Sequence, residues 1–268
     1  MRLLRLTFVM AAAVTLSGCL AADTLIKVKA DGSGTIEQTV LVSTNALDMM
    51  GGMAAIGGET KGASPADMFD ESKLREAASR LGEDVRFVSS QPLETNGMKG
   101  VKAIYAFTDV SRITVSPGPD LPVGAPQGAR AESLSFKMTK GAAGSVLTIT
   151  MPQPKEDAKA TGTPSAPESM PPEAAGMMEM MKSMMKGMRI AVAVEVAGTI
   201  AKTNAQHRTG SRVTLLEVDM DTLMQDPAML QSLQGKMRPG ASAADLQAAI
   251  AGVKGVKMSG PVVTIEWK

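Results

Sequence analysis

Residues 23–43, DTLIKVKADGSGTIEQTVLVS, alternate in side-chain character, and this alternation constrains the chain more than any other feature. Ile26, Val28 and Ala30 are interleaved with Lys27 and Lys29. A period of two puts the apolar set on one face of an extended strand, which a helix cannot do. Asp31-Gly32-Ser33-Gly34 supplies turn chemistry, so the stretch predicts a β-hairpin. The glycines alone do not make a phosphate loop. No lysine-serine or lysine-threonine pair follows, and no helical pattern either.

Similar runs recur along the chain. Strands are predicted at 84–91, 99–108 and 112–115, and a second hairpin over 132–151. Further strands are predicted at 189–197, 212–218, 253–258 and 261–267. Between them lie helix signals. Ser64-Pro65-Ala66-Asp67 combines an N-cap, a proline at the first helical position and an acid at the capping-box offset. Met68, Leu74, Ala77, Ala78 and Leu81 then share one face, and Gly82 is placed to end the helix. Short helices are predicted at 220–234, broken near Pro227, and at 242–251.

Two stretches are rich in proline: 116–131 and 152–172. The second, PQPKEDAKATGTPSAPESMPP, holds too little apolar surface to build a core, and predicts a flexible spacer. The resulting order of strands, helix, strands, helix and strands predicts an α+β fold. Its sheets are mostly antiparallel, with a few amphipathic helices, interrupted by the Pro-rich spacer. Residues 19–151 form one α+β region and 173–268 a second, and the sequence leaves open whether they make one domain or two.

The amino terminus carries an address. Arg2 and Arg5 precede an uncharged run, LTFVMAAAVTL, over 6–16, and small residues follow at Ser17 and Gly18. Basic, apolar, then small is the order of a secretory signal peptide, here residues 1–18. The run is too short to cross a bilayer, which takes about 20 residues. Leu16-Ser17-Gly18-Cys19 resembles the lipobox of bacterial lipoproteins and holds the chain's single cysteine. That resemblance implies a thioether-linked diacylglyceryl group on Cys19, cleavage just before it, and palmitate or a similar chain on the new amino group. It also implies residence in the cell envelope. Leu20 stands where some bacteria use aspartate for inner-membrane retention, so the expected site is the periplasmic side of an outer membrane in a cell that has one. Each buried methylene contributes about 0.8 kcal/mol, and two or three chains give durable attachment where one does not.

Composition narrows the remaining possibilities. Loss of residues 1–18 removes Arg2 and Arg5 and no acid, leaving 26 basic against 27 acidic residues, a net charge of −1. Nucleic-acid binding needs a clustered basic surface, which is not evident. Aromatic residues make up 3% of the chain, which argues against a sugar-stacking cleft. The 22 methionines point to an adaptable core.

IKVKADGSGTIEQTVLV near the start and RIAVAVEVAGTIAKTNAQHRTGSRVTLLEVDMDTL over 189–223 resemble a group of bacterial lipoproteins of the LppM type. In these a strand runs into a turn with a Thr-Asn step and a second strand follows. Ala197 and Leu216 stand where that group usually has proline and an aromatic. The resemblance implies an envelope-anchored α+β domain and no particular reaction.

Several chemistries compete for the polar and thioether residues. MMEMMKSMMKGM over 177–188 places six of seven methionines within about 120° of a helical wheel. Such a face packs on a sheet, meets a partner or lipid surface, or binds soft Cu(I) through Met177, Met181, Met184 and Met188. The single histidine, His207, lies in a predicted exposed turn, and one histidine cannot build a multi-histidine zinc site or anchor a serine triad there. Paired carboxylates stay open, since Asp109, Asp120, Asp219 and Asp221 are all candidates. Asp219 and Asp221 flank a strand-to-helix junction, where helix capping accounts for them. The expectation is a non-enzymatic lipoprotein without a cofactor. Its partners would be the membrane, through Cys19, and another envelope protein. A copper- or small-ligand-binding lipoprotein is second and a hydrolase third.

Overall fold

The computed structural model describes residues 20–48, 69–95, 97–118, 133–141, 144–152, 187–225 and 252–268. Twelve strands dominate them. β1 (Leu20–Val28), β2 (Gly34–Ser43), β3 (Arg86–Thr95) and β4 (Met98–Phe107) come first. β5 (Ser135–Gly141) and β6 (Gly144–Thr150) form a hairpin. β7 (Arg189–Val196), β8 (Ile200–Thr203), β9 (Arg208–Thr209), β10 (Arg212–Asp219), β11 (Val256–Met258) and β12 (Val262–Trp267) complete the set.

The α+β expectation is overturned. Against twelve strands the helical residues are few: α1 (Glu71–Leu81), α2 (Met220–Met224), a stretch at 44–48 and a 3-10 turn at Val110–Arg112. The fold is mostly β, built as two sheets: eight strands in the order β11-β10-β7-β1-β2-β4-β3, with β9 beside β10, and four in the order β5-β6-β12-β8. Two local readings also differ from expectation. Within the stretch read as a helix from Ser64, α1 begins after Asp70, whose extended backbone and side chain, accepting from Ser72 N, make it the N-cap; Ser64 to Met68 lie outside the described residues. The strand read at 112–115 is taken by the 3-10 turn, capped by Asp109, and only Val115 pairs, in a bridge to Leu134. The methionine stretch 177–186, the helix at 242–251 and the spacer lie outside the described residues.

The opening hairpin forms as its alternation predicts. β1 and β2 pair antiparallel from Leu20↔Val42 to Val28↔Gly34. Asp31 Oδ1 accepts from Ser33 N at 2.9 Å and closes the turn. On its other edge β1 pairs with β7 in parallel, Ala21↔Arg189 through Val28↔Val196. Each sheet therefore takes strands from both sides of the 152–172 stretch, since β12 also lies against β6.

The sheets pack face to face, each contributing alternate residues to the layer between them. Ile26, Val28, Ile36, Tyr105, Phe107 and Val194 of the large sheet join Phe136, Leu147, Ile149, Ile265 and Trp267 of the small one in one buried cluster. Ala78 and Leu81 of α1 close its side. The chain crosses between sheets at Ala197–Thr199, where Ala197 N donates to Val28 O and Thr199 N to Lys268 O. Beyond the crossing, Asn204 extends the small sheet: Nδ2 donates to Val262 O at 2.9 Å and Oδ1 accepts from Thr264 N at 2.8 Å. The edge strand β3 is blunted by Pro92 and by a register shift between Phe87 and Ser89 that leaves Val88 57% exposed.

Candidate functional site

The outer face of the large sheet, turned away from the core, carries the densest polar cluster. Register builds it. Asp23 on β1 stands opposite Ala191 on β7, Ala191 opposite Glu217 on β10, and Glu217 opposite Lys257 on β11. Residues opposite one another share a face, and so do residues two apart on a strand. Arg189, two before Ala191, therefore joins this row. Ala191 is small, and the Arg189 guanidinium reaches the acids on both sides of it. Its Nη1 donates to both Asp23 carboxylate oxygens, at 3.0 and 3.2 Å, and its Nη2 lies 3.5 Å from Glu217 Oε1. Lys257 Nζ donates to Glu217 Oε2 at 2.9 Å. A second group on the same face centres on Glu37 of β2, which binds Lys27 of β1 and, at 2.8 Å, Lys102 of β4. Together the two groups tie six adjacent strands of the sheet by charge.

The acids titrate differently. Burial pushes Asp23 up, and Arg189 and Arg212 only partly offset it. Burial also raises Glu217, but Lys257 and Arg189 outweigh it and leave the group below its ordinary value. Hydrogen bonds from Lys102 and Lys27 hold Glu37 low. A carboxyl held low binds its proton more weakly in the folded chain than in the unfolded one. The stability from Glu37 and Glu217 is thus present above the ordinary carboxylate range and is lost as pH falls through it. Asp23 has the opposite sign: its contribution is full below that range and is lost as pH rises. Acidification from about pH 6 to about pH 3 is therefore expected to lower Tm more in Asp23→Asn than in the parent. Equal losses in calorimetry would show that Asp23 titrates as an ordinary surface acid.

This cluster is chemically quiet. Each carboxylate has at least one cation, and no cysteine or histidine belongs to it. On the inner face a depression of about 40 Å³ lies among Thr24, Gln38, Val40, Pro117, Gly118 and Ile190. That holds a few water molecules and falls far short of the several hundred Å³ an organic ligand occupies. No group of three or more His, Cys, Asp or Glu placed to hold a metal occurs among the described residues.

The residues singled out from sequence are scattered. Cys19, Asp120, Met177, Met181 and Met184 lie outside the described residues. Met188 is half-buried against the satellite cluster of Met220, Leu223 and Val253, and its carbonyl accepts from Met220 N at 2.9 Å. Asp109 caps the 3-10 turn through Ser111 N, and Asp219 caps α2 through Thr222 N at 3.0 Å. Asp221 accepts from Gly187 N at 2.6 Å and ties α2 to the start of β7. His207 is half-buried in the bend before β9, and its carbonyl accepts from Thr214 N. The Asp23–Arg189–Glu217 set was missed from sequence because Asp23 and Arg189 are 166 positions apart. The available signal was weak: charged residues at alternating positions of two strand patterns.

No family model matches this chain, and no curated protein matches it. Among solved structures it is similar to the folded domain of the Mycobacterium tuberculosis LppM protein, determined by NMR, with 8% identity, a TM-score of 0.37, and coverage of 94% of this chain and 91% of that one. Likeness at that score carries no argument about activity.

Proposed function

We propose that this chain is a lipid-anchored cell-envelope protein whose β-sandwich serves as a non-enzymatic structural or protein-interaction module. The observation that carries the anchor is Leu16-Ser17-Gly18-Cys19 behind a basic and then apolar amino terminus. The non-enzymatic part is supported by the outer-face cluster, where each acid is neutralised by a cation from a neighbouring strand. A general acid or base needs a group free to exchange its proton with a substrate, and these carboxylates are engaged in holding strands together.

The test is chemical. In a host that processes lipoproteins, the parent chain is expected to incorporate an alkyne-tagged fatty acid and to partition into detergent. Cys19→Ala is expected to lose both completely, because the thiol is the acceptor and no second cysteine can replace it. A Cys19→Ala chain that still takes up label and stays with membranes would end this reading.

A further inference from the structure

The strand order has a consequence for how such a protein sits on its membrane, one that rests on the lipid-anchor reading of Cys19. Leu20 is already paired: it stands opposite Val42, and Ala21 has partners on both sides, Leu41 and Arg189. β1 is moreover central in the eight-stranded sheet, between β7 and β2. Consecutive Cα atoms are about 3.8 Å apart. A lipid on Cys19 is therefore joined to the middle of the sheet with no intervening tether.

We propose that the end of the large sheet marked by Leu20, Val42, Lys99 and Arg189 abuts the lipid bilayer surface, so that the sandwich stands on the membrane with its strands rising from it. Val42 pairs with both Leu20 and Lys99, and Lys99 pairs with Glu94, so one row spans β1, β2, β4 and β3 at this end. Strands lie about 4.8 Å apart, which puts Lys99 about 10 Å across the sheet from the anchor. At about 3.3 Å per residue, the β1–β2 turn at Asp31 stands roughly 30 Å above it. A headgroup layer is only about 5–7 Å thick, so one end meets lipid and the other does not. The start of β7 and the end of β10 meet at this same end: Asp219 stands opposite Arg189, Gly187 N donates to Asp221 Oδ1, and Asp219 N donates to Gly255 O.

The experiment uses the full processed chain in vesicles of phosphatidylethanolamine and phosphatidylglycerol with a nitroxide on a fraction of the headgroups. A fluorophore is placed on Lys99→Cys or on Asp31→Cys, with Glu94→Cys as the alternative in the same row as Lys99 should that variant misfold. Severalfold stronger quenching at position 99 or 94 than at 31 is expected. A ten-residue Gly-Ser insertion after Cys19, reaching about 17 Å, should shrink that contrast. Acylated protein that floats with the vesicles yet shows equal quenching at both ends overturns the orientation and leaves the anchor standing. A contrast unchanged by the insertion overturns the short tether as its cause. Protein with no acyl mass on Cys19 that fails to float overturns the anchor, and the orientation with it.

Discussion

Trp267→Ala is expected to lower the stability of the sandwich by about 3–5 kcal/mol, the range for emptying a large aromatic site in a packed core. Trp267 is the single tryptophan, 1% exposed, on the last strand. It pairs across to Ser145 and to Ile200, and so sits where β12 joins β6 to β8. A domain stable by about 5–15 kcal/mol loses a large share of that margin. The companion variant is more discriminating. Trp267 Nε1 is buried and has no hydrogen-bond partner among the described residues. An unsatisfied buried donor costs about 1–3 kcal/mol, and phenylalanine removes it. Trp267→Phe is therefore expected to cost much less than the alanine change, because relief of the orphaned N–H offsets the lost ring volume. Urea unfolding followed by circular dichroism measures all three chains on one footing. Phenylalanine proving as damaging as alanine would mean that Nε1 has a partner after all.

Gly100→Ala is expected to be severely damaging for the addition of one methyl, at about 3 kcal/mol or more. Gly100 lies inside β4, opposite Leu41 of β2 and Leu93 of β3. An added methyl would sit 1.8 Å from Val40 O. That atom is main chain, so relief requires moving β2 away from β4 in the ten-rung pair that runs from Gly34↔Phe107 to Ser43↔Met98. Gly97 provides the contrast. Its φ is +73° but nothing lies within 4 Å of an added Cβ, so alanine there meets only backbone strain of about 1–2 kcal/mol. Comparable midpoints for the two variants in urea would refute the close-approach argument.

Much of the strand pattern was legible because it is local. Eight of the strand and hairpin readings, from β1–β2 to β12, rest on alternation and turn residues within a few positions of one another, and the structure puts strands there. The aromatics Tyr105, Phe107, Phe136 and Trp267 are buried, as residues of that size in strand patterns should be. Helix content was overread. The cap that starts α1 is Asp70, which accepts from Ser72 N, whereas the capping signals read at Ser64 and Asp67 lie outside the described residues. The class assignment from element order failed for the same reason: it counted helices by their signals and gave them equal weight with strands.

The charged face was barely legible. Asp23, Arg189, Glu217 and Lys257 become neighbours only through the parallel pairing of β1 with β7 and the antiparallel pairings of β7 with β10 and β10 with β11. Nothing in the spacing of these residues announces it. The sequence by itself determined where most strands run, which of their faces is apolar, and that a lipobox-like Cys19 stands a few residues before the first of them. Only the tertiary structure decided which strands are neighbours, that two sheets enclose one core, and that the strand after Cys19 is central. The physical reason is range: alternation and turn preference act over a few residues, whereas register and sheet order are set by burial and charge pairing between segments more than a hundred residues apart.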